Sequence, residues 1–82
     1  MSSAPILKEW IVEYLEKKGK GAPIVEICKH VWNNHEEELR NMGDLFYTWQ
    51  YDIRWAATEL RKEGKLKDES ISPRGIWELI DL

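Results

Sequence analysis

Residues 49–66, WQYDIRWAATELRKEGKL, decide the fold. Trp49, Ile53, Ala56 and Leu60 recur at intervals of four, three and four, the spacing of one face of an α-helix. The helix must stop at Gly64, which follows Arg61, Lys62 and Glu63. Glycine readily takes the left-handed conformation that closes a helix, and Arg61 and Lys62 suit its negative end. Lys65, Leu66 and Lys67 then alternate polar and apolar, as a short strand does. The helix start is open, because Asp44 and Thr48 can each act as an N-cap.

Towards the C-terminus, residues 76–82 read as a returning strand after a loop over residues 68–75. Leu66 then faces Trp77 and Leu79. An isolated two-stranded hairpin is marginal in water, so this one is expected to close over helices. Towards the N-terminus, Ile6, Leu7, Trp10, Ile11, Tyr14 and Leu15 pair four residues apart and predict a helix from Pro5 to Lys18. Pro5, preceded by Ser3 or Ala4, suits its first turn, and Gly19 its end. Residues 19–22 form a connection with room for one or two residues of strand pairing. From Pro23, the apolar stripe Ile24, Ile27, Cys28 and Val31 predicts a second helix that ends at Asn33 and Asn34. Asn34, with Glu37 three residues on, resembles a capping box for a short helix through Leu39 and Met42 to Gly43.

The composition fits this order. Eighty-two residues, 43% hydrophobic and 33% charged, suffice for one small domain over 1–82 and not for two. Stability of order 4–12 kcal/mol follows from about 0.05–0.15 kcal/mol per residue. Nine aromatic residues, five of them Trp, supply large core side chains. Trp10, Trp32, Trp49 and Trp77 fall at core or near-core positions, and Trp55 is expected to pack on the hairpin or the second helix. The single Cys28 excludes an internal disulfide. The start lacks the basic segment and apolar run of a signal peptide, and no run approaches the ~20 apolar residues that span a bilayer. The expectation is a soluble, cytoplasmic protein without membrane association.

Three helices followed by a β-hairpin give a mainly α fold with a small β-hairpin, the element order of a winged helix-turn-helix. In such a domain the third helix can enter the DNA major groove while the hairpin forms the wing. At about 100° per residue, Tyr47, Tyr51, Arg54, Thr58 and Arg61 gather opposite the Trp49 seam. Guanidinium groups pair with guanine or phosphate, and hydroxyls position phosphates. Charge is segregated in the same sense: residues 54–74 hold six basic and four acidic side chains, whereas residues 1–53 carry a net −3 and residues 75–82 a net −2. Lys65, Lys67 and Arg74 would hold the wing on the DNA backbone.

Residues 53–66, with Trp55-Ala56, Leu60 and Gly64-Lys65-Leu66, resemble the helix, turn and strand of the N-terminal winged-helix domain of Mrr-type restriction endonucleases. Residues 72–79, with Arg74-Gly75-Ile76-Trp77, resemble the returning strand of that domain. The resemblance covers about the C-terminal 30 residues, and the first half matches only in helical pattern. It implies a DNA-binding module that targets a nuclease subunit within a restriction-modification system. Because the chain ends with the wing, no nuclease activity is expected of it. Arg54 stands where the family often has a small residue, which either adds a contact or changes how the helix docks. Gln50 and Asp52 replace basic positions, which lowers the expected affinity.

Other chemistry finds little support. Cys28, His30 and His35 fall short of the three or four suitably spaced ligands of a zinc site, and Cys28 lies in an apolar stripe, so no metal and no cofactor are expected. Glu36, Glu37 and Glu38 are consecutive on a helix and cannot converge on a substrate. Ser70 and Ser72 lack a His and acid to activate them. No catalytic residue is predicted. The expected function is non-enzymatic duplex DNA binding, as a regulator or a targeting module. The alternative is a winged helix that binds a protein partner, to which the negative net charge and the Glu36 to Glu38 cluster point.

Overall fold

Helix α1 (Pro5–Lys18) presents Leu7, Trp10, Ile11 and Leu15 to the interior, and all four are buried. The computed structural model describes residues 5–68, 71 and 75–80, so the expected cap before Pro5 lies outside the described residues. Gly19 closes α1 as expected, with φ 77° and its N–H donating to the Leu15 carbonyl at 2.9 Å. Strand β1 (Ala22–Pro23) follows, then α2 (Ile24–Arg40), α3 (Leu45–Lys62) and β2 (Ile76–Trp77). Strands β1 and β2 pair antiparallel, with Ala22 opposite Trp77 and Pro23 opposite Ile76. Leu66 bridges Leu79 in the same sense, extended by Lys67 N–H to the Glu78 carbonyl and Ile80 N–H to the Lys65 carbonyl, both at 2.9 Å. This is a mainly α fold with a small antiparallel sheet in winged-helix topology.

The strand after α3 therefore has less sheet than a regular hairpin, and part of the pairing of residues 76–77 goes to β1 instead. Gly21 makes the join possible. A Cβ there would stand 2.3 Å from Glu78 Cγ and 3.0 Å from Ile76 Cγ2, so a larger residue would force those side chains of the returning segment to shift. Gly64, at φ 79°, turns the chain out of α3 so that the Leu60 carbonyl accepts from both Lys65 and Leu66 N–H.

The second helix differs from expectation. It runs through Asn33 and Asn34 and breaks at His35, whose φ of −130° and ψ of 20° are non-helical. Asn34 caps nothing: its amide donates back to the His30 carbonyl at 2.9 Å, which holds the preceding turn together. The helix resumes to Arg40, which lets Leu39 enter the core, and Gly43 turns the chain at φ 62°. At the start of α3, neither Asp44 nor Thr48 acts as a side-chain cap. Asp44 occupies the cap position with helical backbone angles, and the Thr48 hydroxyl donates to Asp52 at 2.8 Å inside the helix. The first amides of α3 are met by carbonyls of the preceding turn, Met42, Gly43 and Asp44.

Helix α3 buries Trp49, Ile53, Ala56, Ala57 and Leu60, the predicted seam plus one alanine. Its most extensive helix contact is with α1. Two polar ties flank the apolar contacts. Lys8 reaches Glu63 at 2.6 Å and Glu59 at 3.6 Å, joining α1 to α3. Tyr14 and Lys18 both donate to Glu26, joining α1 to α2.

These ties shift titrations. The Lys18 ammonium, then the Tyr14 hydroxyl, hold Glu26 below the ordinary carboxylate value of 4.5, and Lys8 does the same for Glu63. A carboxylate lowered on folding adds stability that is present above its unfolded value and lost as pH falls through its folded value. The melting temperature should thus decline as pH drops below about 4.5. In a Glu26→Gln, Glu63→Gln variant that acid-side decline should be shallower, measured by circular dichroism melts across the acid range. An unchanged pH profile would show that the two ties add no stability.

Candidate nucleic-acid interface

The burial of one α3 face fixes what the opposite face presents. At about 100° per residue, the arc from about 100° to 240° away from Trp49 holds Gln50, Arg61, Arg54, Tyr47, Thr58, Tyr51, Lys62 and Trp55. The two carboxylates within α3, Asp52 and Glu59, fall outside it and are occupied by Thr48 and Lys8. The outer arc of α3 therefore carries guanidinium, ammonium, phenol and indole groups and no carboxylate.

The sequence-predicted contact residues divide on closer view. Tyr47 and Tyr51 are 83% and 64% exposed, and Arg54 is exposed and makes no ion pair among the described residues. Thr58 is half-buried, and its hydroxyl donates to the Arg54 carbonyl at 3.1 Å, so its own helix already uses that donor. Arg61 is half-buried and engaged within the protein. Lys65 is exposed, 3.8 Å from Glu63, and Lys67 is half-buried, 3.9 Å from Glu78. Arg74 lies outside the described residues, as do Ser70 and Ser72. The structure thus brings Tyr47, Tyr51 and Arg54 together on one open face, while Thr58, Arg61 and Lys67 sit closer to the protein body.

Trp55 departs from expectation. It is not enclosed against the hairpin or the second helix, being 50% exposed. Its place on the outer arc of α3 accounts for this, with Ala56 and Ala57 on the buried side, and its ring lies edge-on to Tyr51, ring centroids 6.4 Å apart. Trp10, Trp49 and Trp77 are buried and Trp32 is half-buried against the core, as expected.

Beside this face, α2 and α3 frame an open groove of about 660 Å³, with Ile24, Cys28, Trp32, Trp49 and Arg54 among its walls. The Trp32 and Trp49 rings stack inside it, 6.3 Å between centroids and 4° between planes. Cys28 is half-buried there, not sealed in the core, and burial raises its thiol above the ordinary value while the Arg54 guanidinium opposes that rise. A second cluster escaped the sequence reading altogether: Glu13 of α1 meets His30 and His35 of α2, with Cys28 outside the group. Spacing along the chain gave no signal for it, because Glu13 comes from another helix and the His35 break is not encoded by a Pro or Gly.

The helix phase yields a direct contrast. Trp49→Ala or Leu60→Ala should cost about 2–5 kcal/mol through lost burial and a residual cavity. Trp55→Ala, on the opposite face, should cost clearly less than either. Denaturant melts decide it, and a Trp55 variant as damaged as the Trp49 variant would overturn the assignment of faces.

No family model matches the chain, and comparison with the curated proteins and with the solved structures found no match.

Proposed function

We propose that this protein binds duplex DNA non-enzymatically, with the outer face of α3 in the major groove. The observation that carries the reading is the carboxylate-free outer arc of α3, with Arg54 exposed and Tyr47 and Tyr51 beside it. An α-helix fits the major groove, where an Arg fork can reach guanine or a phosphate and tyrosine hydroxyls can reach phosphate oxygens. The Trp55 ring and the tyrosine rings offer apolar surface to sugars and to thymine methyl groups. Lys65 and Lys67, at the root of the wing, would touch the backbone, and Arg74 is expected to join them. The resemblance of residues 53–66 and 72–79 to the Mrr-type domain supports a targeting module of a restriction or defence system, or a regulator built on the same domain. A cytoplasmic location and a nuclease subunit as partner belong to the same reading.

One observation favours a second reading. Trp, Tyr and Arg are the residues enriched in protein-binding hot spots, and Trp55, Tyr51 and Arg54 form such a group on a chain of net charge −3. A protein partner would use these side chains with little dependence on salt.

Fluorescence anisotropy on a labelled random duplex separates the two. If about four basic side chains neutralise phosphates, log K should fall with log salt at a slope near −4, about 0.9 for each phosphate. Arg54→Ala should weaken binding by about 1–3 kcal/mol, or lower the slope by about one if its contact is a phosphate. Lys17→Ala, at the far end of α1, should do neither. No binding at ~50 mM salt, or a larger effect from Lys17 than from Arg54, would hand the face to the protein-partner reading.

A further inference from the structure

We propose that Glu13, His30 and His35 form a binding site for a divalent transition-metal ion of the zinc class. His30 Nε2 and His35 Nε2 lie 3.4 Å and 3.6 Å from the same Glu13 carboxylate oxygen, and the three ligand atoms all fall within 4.8 Å of one another. Around a tetrahedral ion with bonds of about 2.0–2.1 Å, neighbouring ligand atoms stand about 3.3–3.4 Å apart. Two of the three separations are thus near those of a loaded site, and small side-chain rotations bring in the third.

The break in α2 creates this convergence. Residues five apart on a regular helix point about 140° away from each other, so His30 and His35 would not share a face. The non-helical backbone at His35 turns its ring towards α1, where it stacks on Trp10 with 4.1 Å between centroids and 11° between planes. His30 is held against Tyr14 at 4.6 Å. The two histidine side chains are only 11% and 13% exposed, whereas Glu13 is 49% exposed and leaves a path for an ion and a position for water.

Proton placement points the same way. His35 Nδ1 lies 3.1 Å from a Glu38 carboxylate oxygen. An ionised carboxylate only accepts, so Nδ1 donates to Glu38, which leaves Nε2 as the ring atom that faces Glu13. That Nε2 is buried and has no hydrogen-bond partner among the described residues. A metal ion between Nε2 and the Glu13 carboxylate would give both atoms a partner. Glu38 is then the outer carboxylate that orients a metal-bound imidazole. Two imidazoles and one carboxylate suit zinc, nickel, cobalt or copper rather than calcium or magnesium.

The ion would tie α1 to the break in α2 without being needed for folding, since the apolar core is complete without it. This proposal is independent of the DNA reading, because its residues lie on α1 and α2 and it is read on the free protein. The test is calorimetric titration of the full chain with zinc, paired with thermal melts in zinc and in chelator. One zinc per chain should bind and raise the melting temperature, while chelator should leave helical circular dichroism intact. Cobalt should give the visible absorption of a tetrahedral site. His30→Gln and Glu13→Gln should lose at least tenfold in affinity, and Glu38→Gln about 10–100-fold. Cys28→Ser should bind as the parent does. Glu13 is partly exposed, so its variant should melt like the metal-free parent, which keeps the test readable if a histidine variant unfolds. A melt unmoved by about a hundredfold excess of zinc, binding by the Glu13 and His30 variants as tight as the parent's, or loss of binding with Cys28→Ser would overturn the proposal.

Discussion

The packing of the α3 seam against α1 and the short strands is the constraint on which the rest of the structure depends. With Trp49, Ile53, Ala56, Ala57 and Leu60 committed to the interior, the rotation of α3 about its axis is set, and so is every side chain it offers to solvent. The partners in that burial are Leu7, Trp10, Ile11 and Leu15 from α1 and Leu66, Trp77 and Leu79 from the strands. In a domain this small, burial of that set has to supply most of the stability, because the sheet contributes only a few backbone hydrogen bonds. The ion pairs of Lys8 with Glu59 and Glu63 add a polar tie between α1 and the C-terminal end of α3. The outer arc of α3 lacks carboxylates because Asp52 and Glu59 fall outside it in the helix phase, and Lys8 engages Glu59 on the α1 side.

Much of this was legible in the residues, and what was not has identifiable causes. The three helices, the Gly19 and Gly64 stops and the meeting of Leu66 with Leu79 followed from periodicity and turn chemistry, which are local signals. The pairing of β1 with β2 was legible only as room for pairing, since two residues carry no alternation to read. The break at His35 was misplaced to Asn33 and Asn34, because asparagine is a common helix end, whereas here its amide is satisfied by the His30 carbonyl within the helix. Trp55 differs from expectation for another reason: a large aromatic side chain is usually buried, but its angular position on α3 leaves half of it open.

The predicted contact residues teach a similar lesson about side chains. Angular position on a helix picked out Tyr47, Tyr51 and Arg54 well, since all three are exposed. It could not register that the Thr58 hydroxyl bonds to its own helix or that Arg61 is drawn into the protein, because those depend on rotamer and neighbours. The Glu13, His30 and His35 cluster lies further still beyond sequence reading. It needs a helix break and a second helix at once, and neither is visible in the spacing of the residues that form it.

The central claim is that the outer face of α3 is the working surface, and amide chemical-shift mapping on the labelled protein tests it most directly. On addition of a duplex at low salt, the largest shifts should cluster at Tyr47, Tyr51, Arg54 and Trp55 and extend to Lys65 and Lys67, with α1 undisturbed. Shifts centred on α1, or scattered over the surface without a focus on α3, would contradict the account.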